Sequence, residues 1–345
     1  MNKSLVIFLF LLVAATSARA QNCSDNLEQA KRAYFNGNFQ TVENLLRTCV
    51  TTEWNAREKT EALEILIKSN LLLKNKEAAD QDMKELLSVT PLYEVRESDL
   101  VEFKNLFGEY EIRTRWNFGL RMGVNQQRYS ILHYQSYGSN TQEPASYTPK
   151  IGFSAGVLGE YSITKNIYVG LEVNYQTHGY SQAEIIQEYQ QVSITENLAY
   201  LSTPFQVHLQ FDYKGFTPFI EGGISIHYLL KSSGDINLLA LSSDFITSYN
   251  GIPRLTEKYD LKSQRKSITM NYVFGGGIRK SFGLTSFEVG FHYEFGLNNL
   301  VDAEARYADE SLYKTYSYVP DDFKMDHFRF TAGIIRSIVY PKKKK

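Results

Sequence analysis

The sequence predicts a mainly β chain: an eight-stranded antiparallel up-and-down transmembrane β-barrel, preceded by a small all-α domain. Three observations predict it. From Arg113 onward, apolar residues recur at every second position through eight segments. The connections between those segments alternate between tight and long. Before residue 112 the apolar period is that of a helix instead. A chain of 345 residues suits two domains. A net charge of −1 gives no global field for nucleic acid or acidic substrates. Mean hydropathy is −0.32, which argues against a bundle of membrane helices. A transmembrane barrel passes the same test, because its polar lumen-facing residues dilute the average.

Residues 1–20 read as an export signal. Lys3 supplies the positive start, and Leu5 to Ala15 form an apolar core. That core is well short of the roughly 20 residues of a spanning helix. Ala18-Arg19-Ala20 has the small-x-small form of a cleavage site, so the mature chain is expected to begin at Gln21. Cys23 comes soon after, but Ala20, Gln21 and Asn22 match a lipid-attachment box poorly. No later stretch is apolar for long enough to span as a helix, so membrane embedding would be through strands.

Residues 21–111 read as the helical domain. One hairpin carries Ala30, Ala33, Tyr34, Gly37, Phe39, Val42, Leu45 and Leu46. A second carries Ala62, Leu63, Leu66, Leu71, Leu73, Ala78, Met83, Leu86 and Leu87, and closes on Pro91. The small residues, the turn at Gly37 and the closing proline resemble tetratricopeptide repeats. The signature Trp is absent, and there are two units where about three make a self-sufficient stack. Cys23 lies just before the first helix of the first hairpin and Cys49 just after its second. Antiparallel helices of similar length bring those ends together, and an exported chain meets an oxidising compartment. A Cys23–Cys49 disulfide is expected, with two buried thiols as the alternative. Two cysteines with no nearby histidine do not make a metal site.

Residues 112–340 read as the barrel. Trp116, Phe118, Leu120, Met122 and Val124 share one face of the first segment; Phe287, Val289, Phe291, Tyr293 and Phe295 share one face of the seventh. The opposite faces carry Arg121, Glu160, Glu172, Glu221, Arg279, Glu288, Glu294 and Arg329, with His208, His292 and several glycines. A soluble lipocalin-like barrel turns its apolar face inward, and a membrane barrel turns it outward. Acids and bases that can pair, with glycines that make room, suit the narrow filled lumen of eight strands. The connections near 163–166, 213–216 and 280–285 are tight; those at 125–149, 178–196, 230–266 and 298–325 are long. Membrane barrels alternate in this way, with short periplasmic turns. The 24 Tyr and 21 Phe can supply aromatic girdles. The first strand must then run outward, which puts the helical domain in the periplasm. The basic tail, 341–345, is expected there too, as a solvated end.

Residues 200–229, YLSTPFQVHLQFDYKGFTPFIEGGISIHYL, combine an aromatic-Leu-x-x-Pro start, an alternating strand, a short turn, Pro-aromatic and a Gly-Gly pair. They resemble the fourth and fifth strands of OmpX-like and PorT-like small outer-membrane barrels, a resemblance that covers roughly 113–340. It implies a fold and a compartment. Such barrels serve in envelope stabilisation, adhesion and secretion machinery, and fold alone does not choose among those roles.

No catalytic set stands out: there is no GxSxG, HExxH, phosphate-binding loop or CxxC. His178, with Ser181 close by, is the nearest candidate for an active site, and a lone histidine near a loop is far more often structural. No enzyme activity, cofactor or metal is expected. The lumen charges form either a plug or a proton or ion path, and the plug is the expectation. The external loops 231–266 and 298–325 should carry binding surface. Glu304, Arg306, Tyr307, Asp309, Glu310, Tyr313, Tyr316 and Tyr318 suit protein contact or cation bridging to lipopolysaccharide. The expected partners are outer-membrane lipid and lipopolysaccharide, and a periplasmic or outer-membrane protein held through residues 24–109. No nucleic acid is expected. The expected role is a non-enzymatic envelope scaffold or accessory factor of secretion or outer-membrane assembly. A narrow channel and a surface adhesin are the alternatives.

Overall fold

A computed structural model describes residues 23–51, 55–135, 146–186, 190–241 and 254–344. The export signal and its cleavage site lie outside the described residues. The chain forms two compact units: residues 1–115 with 339–345, and residues 116–338.

In the first unit, residues 23–35 form α1, followed by α2 (Phe39–Val50), α3 (Ala56–Leu72), α4 (Lys76–Val89) and α5 (Val101–Gly108). Two asparagines start helices by capping. Asn55 accepts the Glu58 N–H at 2.9 Å, and Asn75 accepts that of Ala78. Gly37 turns the chain between α1 and α2 with φ +77°, a conformation a side chain would resist. Apolar residues at helical spacing meet in one core that includes Leu27, Val42, Leu46, Leu63, Leu66, Ile67, Met83, Leu86 and Phe103. Cys23 and Cys49 form a disulfide across α1 and α2, with Cα atoms 5.6 Å apart. The buried Asp82 accepts from Arg47 on α2 and from Asn70 on α3. Lys68 binds Glu64 and Asp99, and its ammonium lies 5.3 Å from the Phe103 ring centre.

The basic tail is exposed at Lys343 and Lys344, as a solvated end is expected to be, but its lysines are not without partners. The last strand runs on to Lys343, whose ammonium reaches Asp80 and, at 3.1 Å, Glu109. Lys344 donates its backbone N–H to the Glu109 carbonyl at 2.7 Å. Two carboxylates within reach give the lysines a partner that sequence distance concealed.

The charges of this unit set its pH range. Burial pushes the Asp99 carboxyl up, but the Lys68 ammonium and the Arg96 N–H outweigh it and hold the group below its usual range. Lys31 likewise holds Glu61 low, and is itself raised by Glu28 and Glu61. A carboxyl with a lowered folded value stabilises the fold above the ordinary carboxylate range and loses that contribution as pH falls through the folded value. A raised lysine contributes below its ordinary value and loses that contribution as pH climbs through the folded one. Helical melting followed by circular dichroism should therefore weaken below about pH 4. Asp99→Asn should flatten that dependence, and an identical acid limb in the variant would remove Asp99 as its source.

The second unit is a closed ring. Its strands are β1 (Tyr110–His133), β2 (Ser146–Ser162), β3 (Ile167–Ile186), β4 (Gln190–Gln210), β5 (Thr217–Ala240), β7 (Ile268–Phe282), β8 (Thr285–Gly296) and β9 (Asp322–Lys343). Each pairs antiparallel with the next, and β1 lies beside β9 to close the ring. A short β6 (Arg254–Asp260) adds to the far end of β5. Tight turns join β2 to β3, β4 to β5 and β7 to β8 at one end, where Gly215 and Gly283 take positive φ.

The opposite end differs from the sequence reading. The stretches taken as loops at 125–149, 178–196 and 230–266 are in large part continuing strand. A membrane-crossing strand needs about 9–11 residues, and β4 has 21, so the ring rises well beyond a bilayer. Its faces exchange roles on the way. Along β4, Leu201, Phe205 and Val207 point outward while Ser202, Gln206 and His208 point inward. Beyond Tyr200 the inward residues become Leu198, Ile194 and Val192, and the outward ones Asn197, Thr195 and Ser193. The inner face there builds an apolar core with Tyr180, Leu229, Ile236, Leu261, Val301 and Phe323.

The 298–325 connection is likewise packed rather than open. It holds α6 (Glu310–Tyr316), and Leu312, Tyr316 and Tyr318 are buried in that same core. Arg306 is buried on Asp322 and the Pro320 carbonyl. Tyr307 stays exposed.

Candidate functional site: the charged lumen

Alternation along seven of the eight strands sends Arg121, Glu160, Glu172, Glu221, Arg279, Glu288, Glu294 and Arg329 to the inside of the ring, and all are buried. Closure then pairs them across it. Arg279 reaches Glu160 at 2.6 Å and Glu288 at 2.8 Å. Arg121 donates to Glu288 and to Glu172, each at 2.8 Å, and lies 3.8 Å from Glu221. Arg329 donates to Glu172 at 3.3 Å and stands 3.7 Å from Glu294. The groups thus form one continuous network in which most carboxylates are shared between bases.

Five glutamates against three arginines leave two carboxylates in excess, and imidazoles stand beside them. His208 lies 3.2 Å from both Glu160 and Glu221, and His292 also contacts Glu221. His227 and His327 lie 3.0 and 3.2 Å from Glu294. Inward glycines make room for these rings. A Cβ on Gly275 would come within 2.5 Å of the His292 ring, and one on Gly170 within 3.1 Å of His208. A cavity of about 10 Å³ among Arg121, Glu160, Glu172, Gln206 and His208 is room for about one water.

Beyond this network a second ion pair sits within the apolar core. Arg265 binds Glu196 through Nε at 2.9 Å, and Tyr180 and Ser232 donate to the same carboxylate. Phe323 covers the guanidinium, 5.6 Å from ring centre to carbon. Sequence reasoning missed Glu196 and Arg265 because both lay in stretches read as loops. It also passed over His227 and His327. His227 stands between the outward Ile226 and Tyr228, so the period-two pattern alone could have sent it inward.

His178 is not at a loop, and it does not meet Ser181. It is a buried strand residue whose ring nitrogens contact Gln127 and Gln176 at 2.8 and 3.2 Å. Three residues along a strand change faces, and Ser181 bonds Thr195 instead, at 2.8 Å. Among the described residues, no group of three or more His, Cys, Asp or Glu is arranged to hold a metal ion.

An apolar outer wall around a charged interior is the inverse of a soluble barrel and suits a lipid surround. Residues 103–302, more than half of the chain, match the family described as outer membrane protein beta-barrel domain. The chain belongs to that family. It is an outer-membrane β-barrel protein. Similar solved structures include Neisserial surface protein A, with a TM-score of 0.30 and 10% identity over 64% of this chain and 97% of that one. The Ail protein of Yersinia pestis gives 0.29 and 12% over 64% and 99%. Outer membrane protein W of E. coli gives 0.32 and 11% over 66% and 98%. No curated protein matches the sequence.

Proposed function

We infer that this barrel is a closed anchor, and that its work is done by what it carries on either side of the membrane. The filled lumen carries the reading. A network of shared ion pairs occupies the membrane section, and an apolar core stands over it, so an outer-membrane passage has no room to run. The tight turns mark the periplasmic end. β1 starts at that end, so the helical unit hangs in the periplasm, where an α-helical pair resembling tetratricopeptide repeats offers surface to a protein partner. The long-strand end then rises outside the cell as a folded dome. This is a non-enzymatic scaffold or accessory role in the envelope, in protein secretion or outer-membrane assembly.

Crosslinking and pull-down from intact envelopes tests it, comparing the full chain with a variant lacking residues 24–109. Gel mobility before and after heating shows that both barrels are folded. A periplasmic or membrane protein captured by the full chain alone is the expected result, together with a silent planar bilayer. The same capture by both forms, or steady conductance from the full chain, would sink the reading.

A further inference from the structure

The exchange of faces marks the level at which the outer wall stops being apolar, and unpaired cations stand at that level. Lys150 immediately precedes Ile151, the last apolar residue on the outer face of β2, and Ile151 pairs with Gln126 on β1. Arg128 lies two residues beyond Gln126 on the same outward face. Across the ring, Lys231 follows the outward Leu230 on β5. Lys266 lies two residues before Ile268, which opens β7 opposite Tyr228. All four side chains are exposed. Among the described residues none of the four side chains has an ion pair or hydrogen bond.

Asp326, the acid at this level on neighbouring β9, bonds the Gly296 N–H at 2.9 Å and the Tyr293 hydroxyl at 3.1 Å and makes no ion pair with any of the four cations among the described residues. At the tight-turn end, by contrast, Lys165 stands 3.5 Å from Asp212. Like charges on adjacent strands repel, so each basic pair is poised for an anion shared between its two members. Arginine and lysine at headgroup depth suit phosphate oxygens above other anions.

We propose that Arg128 with Lys150, and Lys231 with Lys266, bind the phosphate groups of a bisphosphorylated glycolipid of the outer leaflet, the lipid A portion of lipopolysaccharide. This rests on the reading that the long-strand end faces outside the cell. The sites lie on separate walls of the ring, β1–β2 and β5–β7, so two glycolipid molecules are held. The apolar band beneath each pair meets their acyl chains.

The test uses the full chain refolded in zwitterionic micelles. Bisphosphorylated lipid A, dephosphorylated lipid A and phosphatidylglycerol are added separately, and the temperature at which the folded gel mobility is lost is read. The bisphosphorylated form should raise that temperature in the wild type, and the dephosphorylated form should not. A variant with Arg128→Gln, Lys150→Gln, Lys231→Gln and Lys266→Gln should lose at least half of the rise. These exposed side chains support no internal contact, so the variant should fold. An equal rise in the variant, an equal rise with dephosphorylated lipid A, or an equal rise with phosphatidylglycerol at matched charge overturns the proposal. Orientation is tested apart from it. A membrane-impermeant maleimide on intact cells should label Lys258→Cys, at an exposed position of β6. A folded but unlabelled variant overturns the outer-leaflet assignment whatever the micelle result.

Discussion

Replacing Arg121 with methionine is expected to cost about 3–5 kcal/mol of barrel stability, the usual penalty for leaving buried charge without its partner. Arg121 is 3% exposed and serves Glu172 and Glu288 directly, with Glu221 close by. Its loss leaves those carboxylates to two arginines and to imidazoles, beside a cavity with room for about one water. Urea unfolding of the refolded barrel measures the difference. Removing Glu172 as well, by Arg121→Met with Glu172→Met, should cost less than the single change, because the second substitution takes away one of the orphaned charges. A single variant within about 1 kcal/mol of the wild type would mean that the network contributes little and that water reaches it.

Removing the Cys23–Cys49 link should destabilise the helical unit by about 3–4 kcal/mol in the chain-entropy account, and leave the barrel untouched. The bridge closes a sequence separation of 26 and ties the start of α1 to the end of α2. At that corner Ser24 also donates to Glu58 at 2.9 Å, and Leu27 packs in the core with Leu46 and Val50. Cys23→Ser with Cys49→Ser, or reduction of the wild type, should lower the helical melting transition. The heat-induced change in barrel mobility should stay where it was. An unchanged helical transition would show that packing around Leu27, Leu46 and Val50 holds the corner alone.

The sequence by itself determined the membrane section of the barrel. A strand has a period of two, and lipid is the same partner for every outward residue. So Trp116 to Val124, or Phe287 to Phe295, could be read without knowing their neighbours. The tight turns, which rest on local conformation at positions such as Gly215 and Gly283, were legible for the same reason. So were the inward charges as a set.

Only the tertiary structure decided which of them meet. Arg121 and Glu288 are 167 residues apart, and their contact depends on how far each strand is displaced when the ring closes. The face exchange along β4 and β5 hid the upper part of the ring. Beyond the bilayer the outer wall meets water, so the rule that apolar means outward reverses there. The pattern then no longer reads as a continuing strand. Glu196 and Arg265 were lost with it, and so was the packing of Tyr316 and Tyr318 into the dome. The tail shows the same limit in small. Lys343 reads as a free charge until folding brings Asp80, 263 residues away, within reach.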